Sequence, residues 1–280
     1  MKLAYIQYHV KQLTLLGLYQ FLCRKGLASL TNMNIDLQKV LKLIKKKNLA
    51  NPSGFFYRPL APIEVEKAIS VRNDTDHLNL NNIDLTWQSN LPAYILLCQS
   101  VNQSGVAADI QRIINRMMTG FLDGIVQFSF SFGPHFSHEK AFGLSQIVYG
   151  VLLRYLAKAI WQFLRLKLGI TSLTIDLYAN LKFIKNKVKT NPDFLAPGGS
   201  SRSDANLLNI VYDTRMDNAH GGFIRGSSDY RPQLESVVEI LDLINKHDDA
   251  LEVQDIIDRL VRLETDGALV TNENFKFMEP

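Results

Sequence analysis

Apolar side chains recur at helical spacing along most of the chain. In residues 37–44 they stand at i, i+3, i+4 and i+7, and residues 106–121 repeat the pattern, which predicts amphipathic helices. Residues 138–168 are apolar on nearly every side and carry one narrow polar stripe. A helix with so little polar surface must be covered by other elements. We therefore predict that it is the buried centre of the fold.

Alternating apolar and polar residues predict a few short strands beside these helices. Residues 181–188 fit either a strand or a short basic helix, and residues 73–90 are predicted to be mainly exposed loops. Strands are predicted at 128–132, 171–177 and 207–214. The predicted fold class is α+β and helix-dominated, with a small sheet packed on the long buried helix.

The last part of the chain has a pattern of its own. Two helical stripes, at 234–244 and 253–263, precede Gly267 and two short alternating runs at 269–271 and 275–277. Helix, helix and hairpin in this order resemble the end of a winged-helix module. The resemblance is one of pattern and names no family. It implies a C-terminal winged-helix-like module at 229–280 after a core domain at 1–228.

The two predicted domains carry opposite charge. Residues 229–280 hold five basic and thirteen acidic residues, and residues 1–228 hold the other 26 basic and 14 acidic residues, giving net charges of −8 and +12. An acidic module repels phosphate backbones, so it is predicted to dock on protein. The basic domain predicts either an anionic partner, such as nucleic acid or a phosphorylated ligand, or a merely solvated surface.

Two lysine clusters and one glycine-rich loop are the candidates for anion binding. The loop at 198–203 could cradle a phosphate with backbone N–H groups and an arginine, although it lacks the ending of a P-loop. The alternative is a flexible connection. The candidate anion-binding residues are Lys45, Lys46, Lys47, Lys182, Lys185 and Arg202.

Cysteine usage and charge placement bear on the compartment. The two cysteines, Cys23 and Cys98, cannot form a disulfide framework or a cysteine zinc site. Polar residues at 9–12 interrupt the apolar N-terminus, which differs from a signal peptide. Arg154 and Lys158 would each cost about 2.5–3.5 kcal/mol at a bilayer centre. We therefore expect a soluble, cytoplasmic protein without integral membrane association.

The sharpest candidate for chemistry is a pair of histidines beside a carboxylate. His135, His138 and Glu139 could supply two imidazoles and a carboxylate to a divalent metal such as zinc or iron. Their spacing differs from H-E-x-x-H, so a common focus requires a specific turn. The alternatives are a metal-free acid/base or ligand-binding role, and a plain helix start in which Glu139 favours the helix dipole.

A second polar group follows the predicted strand at 207–214. Asp213, Arg215, Asp217 and His220 are predicted to run from the strand end into a glycine-bearing loop. Acidic groups at a strand end and a loop histidine can form an acid/base pair or complete a metal site. Ordinary polar loop residues are the alternative. Catalysis by Asp217 and His220 requires that the loop reach the histidine pair.

Two functions from different classes remain open. The first is a binding or regulatory protein whose basic domain engages an anionic partner and whose acidic module docks on protein. The second is an enzyme, a hydrolase or oxygenase, with a metal-dependent or acid/base site around His135, His138 and His220. The sequence contains no nucleophile elbow, kinase signature, EF-hand loop or dinucleotide fingerprint that would favour a common enzyme class. The first function is the preferred hypothesis.

Overall fold

Helices make up 79% of the structure. The computed structural model describes residues 2–27, 37–50, 54–77, 80–120, 122, 124–133, 137–169, 175–199, 201–219 and 230–275. In chain order, its α-helices are α1 (Lys2–Arg24), α2 (Leu37–Ala50), α3 (Pro62–His77), α4 (Leu80–Asn90), α5 (Pro92–Ser100), α6 (Ser104–Met118), α7 (His138–Val151), α8 (Lys158–Leu168), α9 (Leu177–Thr190), α10 (Ser201–Ala219), α11 (Tyr230–Leu243) and α12 (His247–Thr265). The strands are β1 (Ser129–Ser131) and β2 (Leu269–Thr271).

The predicted long buried helix is confirmed. A π-helical segment, Leu152–Ala157, joins α7 and α8 into one continuous helix. Ser137 begins it, because its hydroxyl accepts the backbone N–H of Lys140 at 3.1 Å. Gly169 ends it in the left-handed conformation, with φ of 65°. The Glu139–Leu168 stretch is long and apolar enough to span a membrane, but 72% of its apolar window is buried here, as in core helices of soluble proteins.

The small sheet is antiparallel and packs on α7. Phe130 of β1 lies opposite Val270 of β2 and contacts the helix at Gly143. The winged-helix module is not confirmed, since the partner of β2 in the described residues is β1 of the core. A 3₁₀ turn, Asn272–Asn274, follows β2, and most of the other predicted wing strand lies outside the described residues.

One hydrophobic core runs through the described part of the chain. It includes side chains from all twelve α-helices and from both strands. The C-terminal helices share it, because α11 packs against α7 and α10 as well as against α12. The domain boundary near residue 228 stays a prediction, since 220–229 lie outside the described residues.

The strand predicted at 207–214 and the loops predicted at 73–90 are wrong, because both stretches are helical. Residues 207–214 lie in α10, where Leu207, Leu208 and Val211 are buried at i, i+1 and i+4. Residues 73–90 fall in α3 and α4 apart from 78–79, which are not described. Residues 181–188 belong to helix α9, which confirms the short basic helix among the two alternatives. Of the predicted strand at 171–177, residues 171–174 lie outside the described residues.

Candidate functional site

The predicted histidine site is only partly within the described residues. His135 and His220 lie outside them, and His138 begins α7 with its side chain not described. Glu139 is exposed in the first turn of α7. Among the residues that the structure describes, no group of three or more His, Cys, Asp or Glu side chains could hold a metal ion. The metal site and the enzyme hypothesis therefore stay predictions.

The second polar group has a different setting from the predicted one. Asp213, Arg215 and Asp217 lie along α10 and do not follow a strand. Asp217 is half-buried near the end of the helix, whereas Arg215 is only 4% exposed. The predicted strand end is therefore wrong. In the helix, Asp213 and Asp217 are four positions apart and share one face, whereas Arg215 lies on the opposite side. Catalysis by Asp217 and His220 stays a prediction, because His220 lies outside the described residues.

The N–H groups of the two glycines in the glycine-rich loop are engaged by the protein itself. The N–H of Gly198 donates to the Asp193 carboxylate at 2.9 Å, and that of Gly199 donates to the carbonyl of Ala196 at 3.1 Å. Helix α10 begins at Ser201, so Arg202 lies in its first turn, with its side chain not described. A role for Arg202 in anion binding stays a prediction.

The two predicted lysine clusters differ in their surroundings. On α2, Lys45 forms an ion pair with Glu66 of α3 at 2.8 Å, while Lys46 and Lys47 are exposed. Glu64 also lies on α3, where it pairs with Lys67 at 3.1 Å. The α2 cluster therefore has carboxylates beside it that partly neutralise its charge.

Helices α8 and α9 together form a surface whose charged residues are all basic. Neither helix contains an aspartate or glutamate, and the two pack against each other. Burial of Leu177, Leu181, Ile184 and Val188 turns the lysines of α9 outwards. The seven basic residues on the two helices are Lys158, Arg165, Lys167, Lys182, Lys185, Lys187 and Lys189.

Aromatic rings lie under most of these cations. Lys185 Nζ is 5.0 Å from the ring centroid of Tyr212, and Lys187 Nζ is 5.4 Å from that of Phe183. Arg165 stacks on Trp161 with 4.6 Å between the guanidinium carbon and the ring centroid. Such pairs lie within the distance at which a cation interacts with a π-system. We use the name basic aromatic face for the surface of α9 and the adjoining parts of α8 and α10; its residues are Phe163, Lys167, Tyr178, Lys182, Phe183, Lys185, Lys187 and Tyr212.

The rings of this face also contact one another. Tyr178 and Tyr212 lie 5.6 Å apart between ring centroids, which joins α9 to α10. Phe183 packs edge-to-face on Phe194, and Phe163 does so at 5.9 Å with an interplanar angle of 90°. Phe183 remains 37% exposed, so part of its ring surface is open to a ligand. The rings are thus held by neighbours before any partner binds.

A buried charge cluster lies behind the basic aromatic face. Lys11 of α1 and Arg72 of α3 both form ion pairs with the carboxylate of Asp76, and all three side chains are almost fully buried. Each cation contacts a different oxygen of that carboxylate. Buried charges are stable only when paired and hydrogen-bonded. The cluster therefore fixes α1 against α3.

Polar side chains from α1, α3 and α7 surround this cluster. Gln7 donates to the hydroxyl of Thr75 at 2.7 Å, and the Tyr149 hydroxyl donates to the Thr75 carbonyl at 3.1 Å. Tyr8 stacks on Tyr149 with 3.7 Å between ring centroids. Burial raises the pKa of the Tyr8 and Tyr149 phenols well above the ordinary range, so both remain protonated.

Arg215 connects the buried cluster with the basic aromatic face. Its Nη2 donates to the backbone carbonyl of Asp76, and its guanidinium carbon lies 4.7 Å from the ring centroid of Tyr178. Lys182 approaches the same ring at 6.0 Å. His77, at the end of α3, contacts Tyr178 edge-to-face at 5.0 Å, and burial lowers the pKa of its imidazole.

The acidic C-terminal helices lie beside the other end of α8. Lys246 donates a hydrogen bond to Gln162 at 2.7 Å. Tyr155 of the π-helical segment contacts Glu252 of α12; its burial, and to a smaller extent this hydrogen bond, raise the pKa of the Tyr155 phenol. The exposed acidic residues of α12 face solvent beyond these contacts. Docking of this unit on another protein stays a prediction.

Sequence reasoning missed both the aromatic part of the face and the buried cluster. The signal for the first was the pairing of three lysines with an aromatic residue four positions before each, namely Phe163 with Lys167, Tyr178 with Lys182 and Phe183 with Lys187. Lys11 and Asp76 are 65 residues apart, and no local sequence pattern predicts that they form an ion pair. The chain matches no protein-family model, no curated protein and no solved structure.

Proposed function

We propose that the protein binds single-stranded nucleic acid through the basic aromatic face. The observation that carries the proposal is the position of lysines from α8 and α9, two helices without an acidic residue, over partly exposed rings of α8, α9 and α10. Proteins that bind single strands without strong sequence preference combine a positive surface for the backbone with rings on which bases stack. Both elements occur together on this face.

Within the described residues, no carboxylate forms an ion pair with the lysines of the face, although Asp213 of α10 lies near Tyr212. Asp176 caps α9 by accepting the N–H of Ala179 at 2.9 Å, and Asp193 accepts the N–H of Gly198. The α2 cluster, by contrast, has Glu66 within 2.8 Å of Lys45. An anionic polymer would therefore gain more from α8 and α9 than from α2, because it would displace no internal counter-charge there.

Salt dependence gives the first test. If Lys167, Lys182, Lys185 and Lys187 each contact one phosphate, the slope of log affinity against log salt is about −2.8 for a single strand. Affinity would then fall roughly 50-fold between 50 and 200 mM salt. Fluorescence anisotropy with a labelled oligonucleotide measures this directly. A salt-independent affinity would contradict the proposal.

A pair of matched variants gives the second test. Lys182→Glu/Lys185→Glu reverses two charges on the face, whereas Lys39→Glu/Lys42→Glu reverses two exposed lysines at the same spacing on α2. We expect the first variant to lose affinity on the order of tenfold and to reduce the salt slope by about 1.4. The second should retain nearly the wild-type affinity. Equal losses in both would indicate a diffuse charge effect without a defined interface.

Stacking is tested separately from charge. Phe183→Ala leaves the net charge unchanged but removes the most exposed ring whose contacts are described on this face. Loss of one base–ring stack costs about 1–3 kcal/mol, so affinity should fall while the salt slope stays constant. A duplex of the same sequence serves as the control, because its bases are not free to stack on the protein and it should respond little to this substitution.

A further inference from the structure

Arg215 is a buried cation that forms no direct ion pair within the described residues, although the Asp76 and Asp176 carboxylates lie near enough to favour its charged form. Only 4% of the residue is exposed, and its Nε has no hydrogen-bond partner. Within the described residues, no carboxylate forms an ion pair with it, because the two oxygens of Asp76 are engaged by Lys11 and Arg72. A buried charge in this state is costly, so an unsatisfied guanidinium N–H indicates a missing acceptor.

The groups around Arg215 suit a phosphorylated ligand. Tyr178 lies over the guanidinium, and Tyr212 and His77 contact the Tyr178 ring from two sides. Lys182 Nζ is 6.0 Å from the ring centroid of Tyr178, and Lys185 Nζ is 5.0 Å from that of Tyr212. One buried arginine and two outer lysines thus converge on a pair of rings, which could bind a phosphate and an adjacent base together.

We propose that Arg215, Lys182 and Lys185 bind a terminal phosphate monoester, and that the last base of the strand stacks on Tyr178 or Tyr212. This inference rests on the proposed function of the basic aromatic face. At an internal phosphodiester the strand continues in both directions, and the group carries only one charge. Such a phosphate therefore stays at the surface. A terminal phosphate ends the chain, carries about −1.5 to −2 charges and offers three acceptor oxygens. It can therefore reach an inward-facing guanidinium and satisfy its free N–H.

The experiment compares oligonucleotides of one sequence and length that differ only at their ends. The three probes carry a 5′-phosphate, a 3′-phosphate or two hydroxyl ends, and affinities are measured by anisotropy competition against one labelled strand. We expect one phosphorylated end to bind about tenfold more tightly than the hydroxyl-ended strand. Affinities for all three probes within twofold of one another would overturn the inference and leave the proposed function intact.

Arginine variants test whether the preference depends on the guanidinium fork. Arg215→Lys keeps the charge but loses the fork, so it should abolish the end preference and still bind the hydroxyl-ended strand. Arg231→Lys on the exposed side of α11 is the matched control and should keep the preference. Retention of the preference in Arg215→Lys would overturn the inference. The comparison of probes with the wild-type protein needs no variant, so it remains decisive if Arg215→Lys folds poorly.

A nucleoside monophosphate separates failure of this inference from failure of the proposed function. If no oligonucleotide binds, the proposed function fails, and the melting temperature with the monophosphate then decides the inference alone. An increase relative to the same nucleoside without phosphate would support a phosphate site. An unchanged melting temperature would overturn it.

Discussion

Replacement of Gly143 by alanine tests how closely the sheet approaches the central helix. Gly143 lies on the buried side of α7, where a Cβ atom would stand 2.2 Å from Cδ1 of Phe130 and 3.2 Å from Cδ2 of Phe128. Ordinary van der Waals contact begins near 3.4 Å. The Phe130 ring would therefore have to retreat by about 1.2 Å, the difference between 3.4 and 2.2 Å.

Two opposing effects set the change in the free energy of unfolding. Alanine is favoured over glycine in a helix by about 0.8–1 kcal/mol. Overpacking of a core costs about 1–3 kcal/mol, and Phe130 cannot easily move because β1 pairs with β2 at Val270. We expect a net loss of stability of up to about 2 kcal/mol.

Gly17 in the middle of α1 provides a matched control. A Cβ atom there would have Gln103 and Val106 side chains at 3.5 Å, which is ordinary contact. Gly17→Ala should therefore gain most of the helix propensity term. Because both substitutions share that term, the difference between the variants measures the overpacking at Gly143 alone, about 1–3 kcal/mol.

Urea unfolding followed by far-ultraviolet circular dichroism measures both variants, provided that the slope of free energy against urea is unchanged. A Phe130→Ala background gives an internal check, because removal of the ring removes the closest contacts and leaves only Phe128 at 3.2 Å. There, Gly143→Ala should stabilise the protein nearly as much as Gly17→Ala does, and the coupling free energy should give the part of the overpacking cost that is due to Phe130. Equal stabilisation by the two alanines in the wild-type background would refute the close approach of Phe130 to α7.

Two further predictions concern buried titratable groups. Burial lowers the pKa of His9 to about 4 from 6.5, so the unfolded chain takes up a proton in this range before the folded protein does. Stability from this residue is complete above pH 6.5 and falls by about 3 kcal/mol as the pH approaches 4; His9→Gln should remove that part of the acid sensitivity, and an unchanged difference in urea midpoints between pH 7 and pH 4.5 would argue against it. Burial raises the pKa of the Cys98 thiol to about 12, whereas Cys23 is partly exposed. A thiol reagent should therefore label one cysteine per native chain and the second only on unfolding, and rapid labelling of both would contradict the buried position of α5.

The sequence predicted best the features that depend on local pattern. The long apolar helix, its start at Ser137 and the small sheet beside it follow from periodicity and capping, and the structure contains them. The prediction of a strand at 207–214 was wrong because the adjacent Leu207 and Leu208, with Val211, form the buried side of a helix and not one face of a strand. The pairing of β1 with β2 joins residues about 140 positions apart. No turn between the strands specifies such a pairing, so it could not be inferred.

The same distinction applies to the candidate site. Lys182 and Lys185 could be identified from composition, because clustered lysines are visible in any sequence. Their significance depends on Tyr212, which α10 brings beneath Lys185 from a position 27 residues later in the chain. A lysine over a ring held by another helix is a tertiary feature. Along the sequence, Phe183 alone stands among the lysines at 182–189.

The buried cluster explains why the basic aromatic face has a defined shape. A core made only of apolar side chains would be as stable or more stable, since pairing rarely repays the cost of burying charges. The ion pairs fix the orientation of α1 relative to α3, because Lys11 and Arg72 must both contact the carboxylate of Asp76. That requirement fixes the end of α3, and the Asp76 carbonyl in turn holds Arg215 beneath Tyr178. A change at Asp76 should therefore alter ligand binding at the surface as well as stability, even though its own carboxylate is 1% exposed.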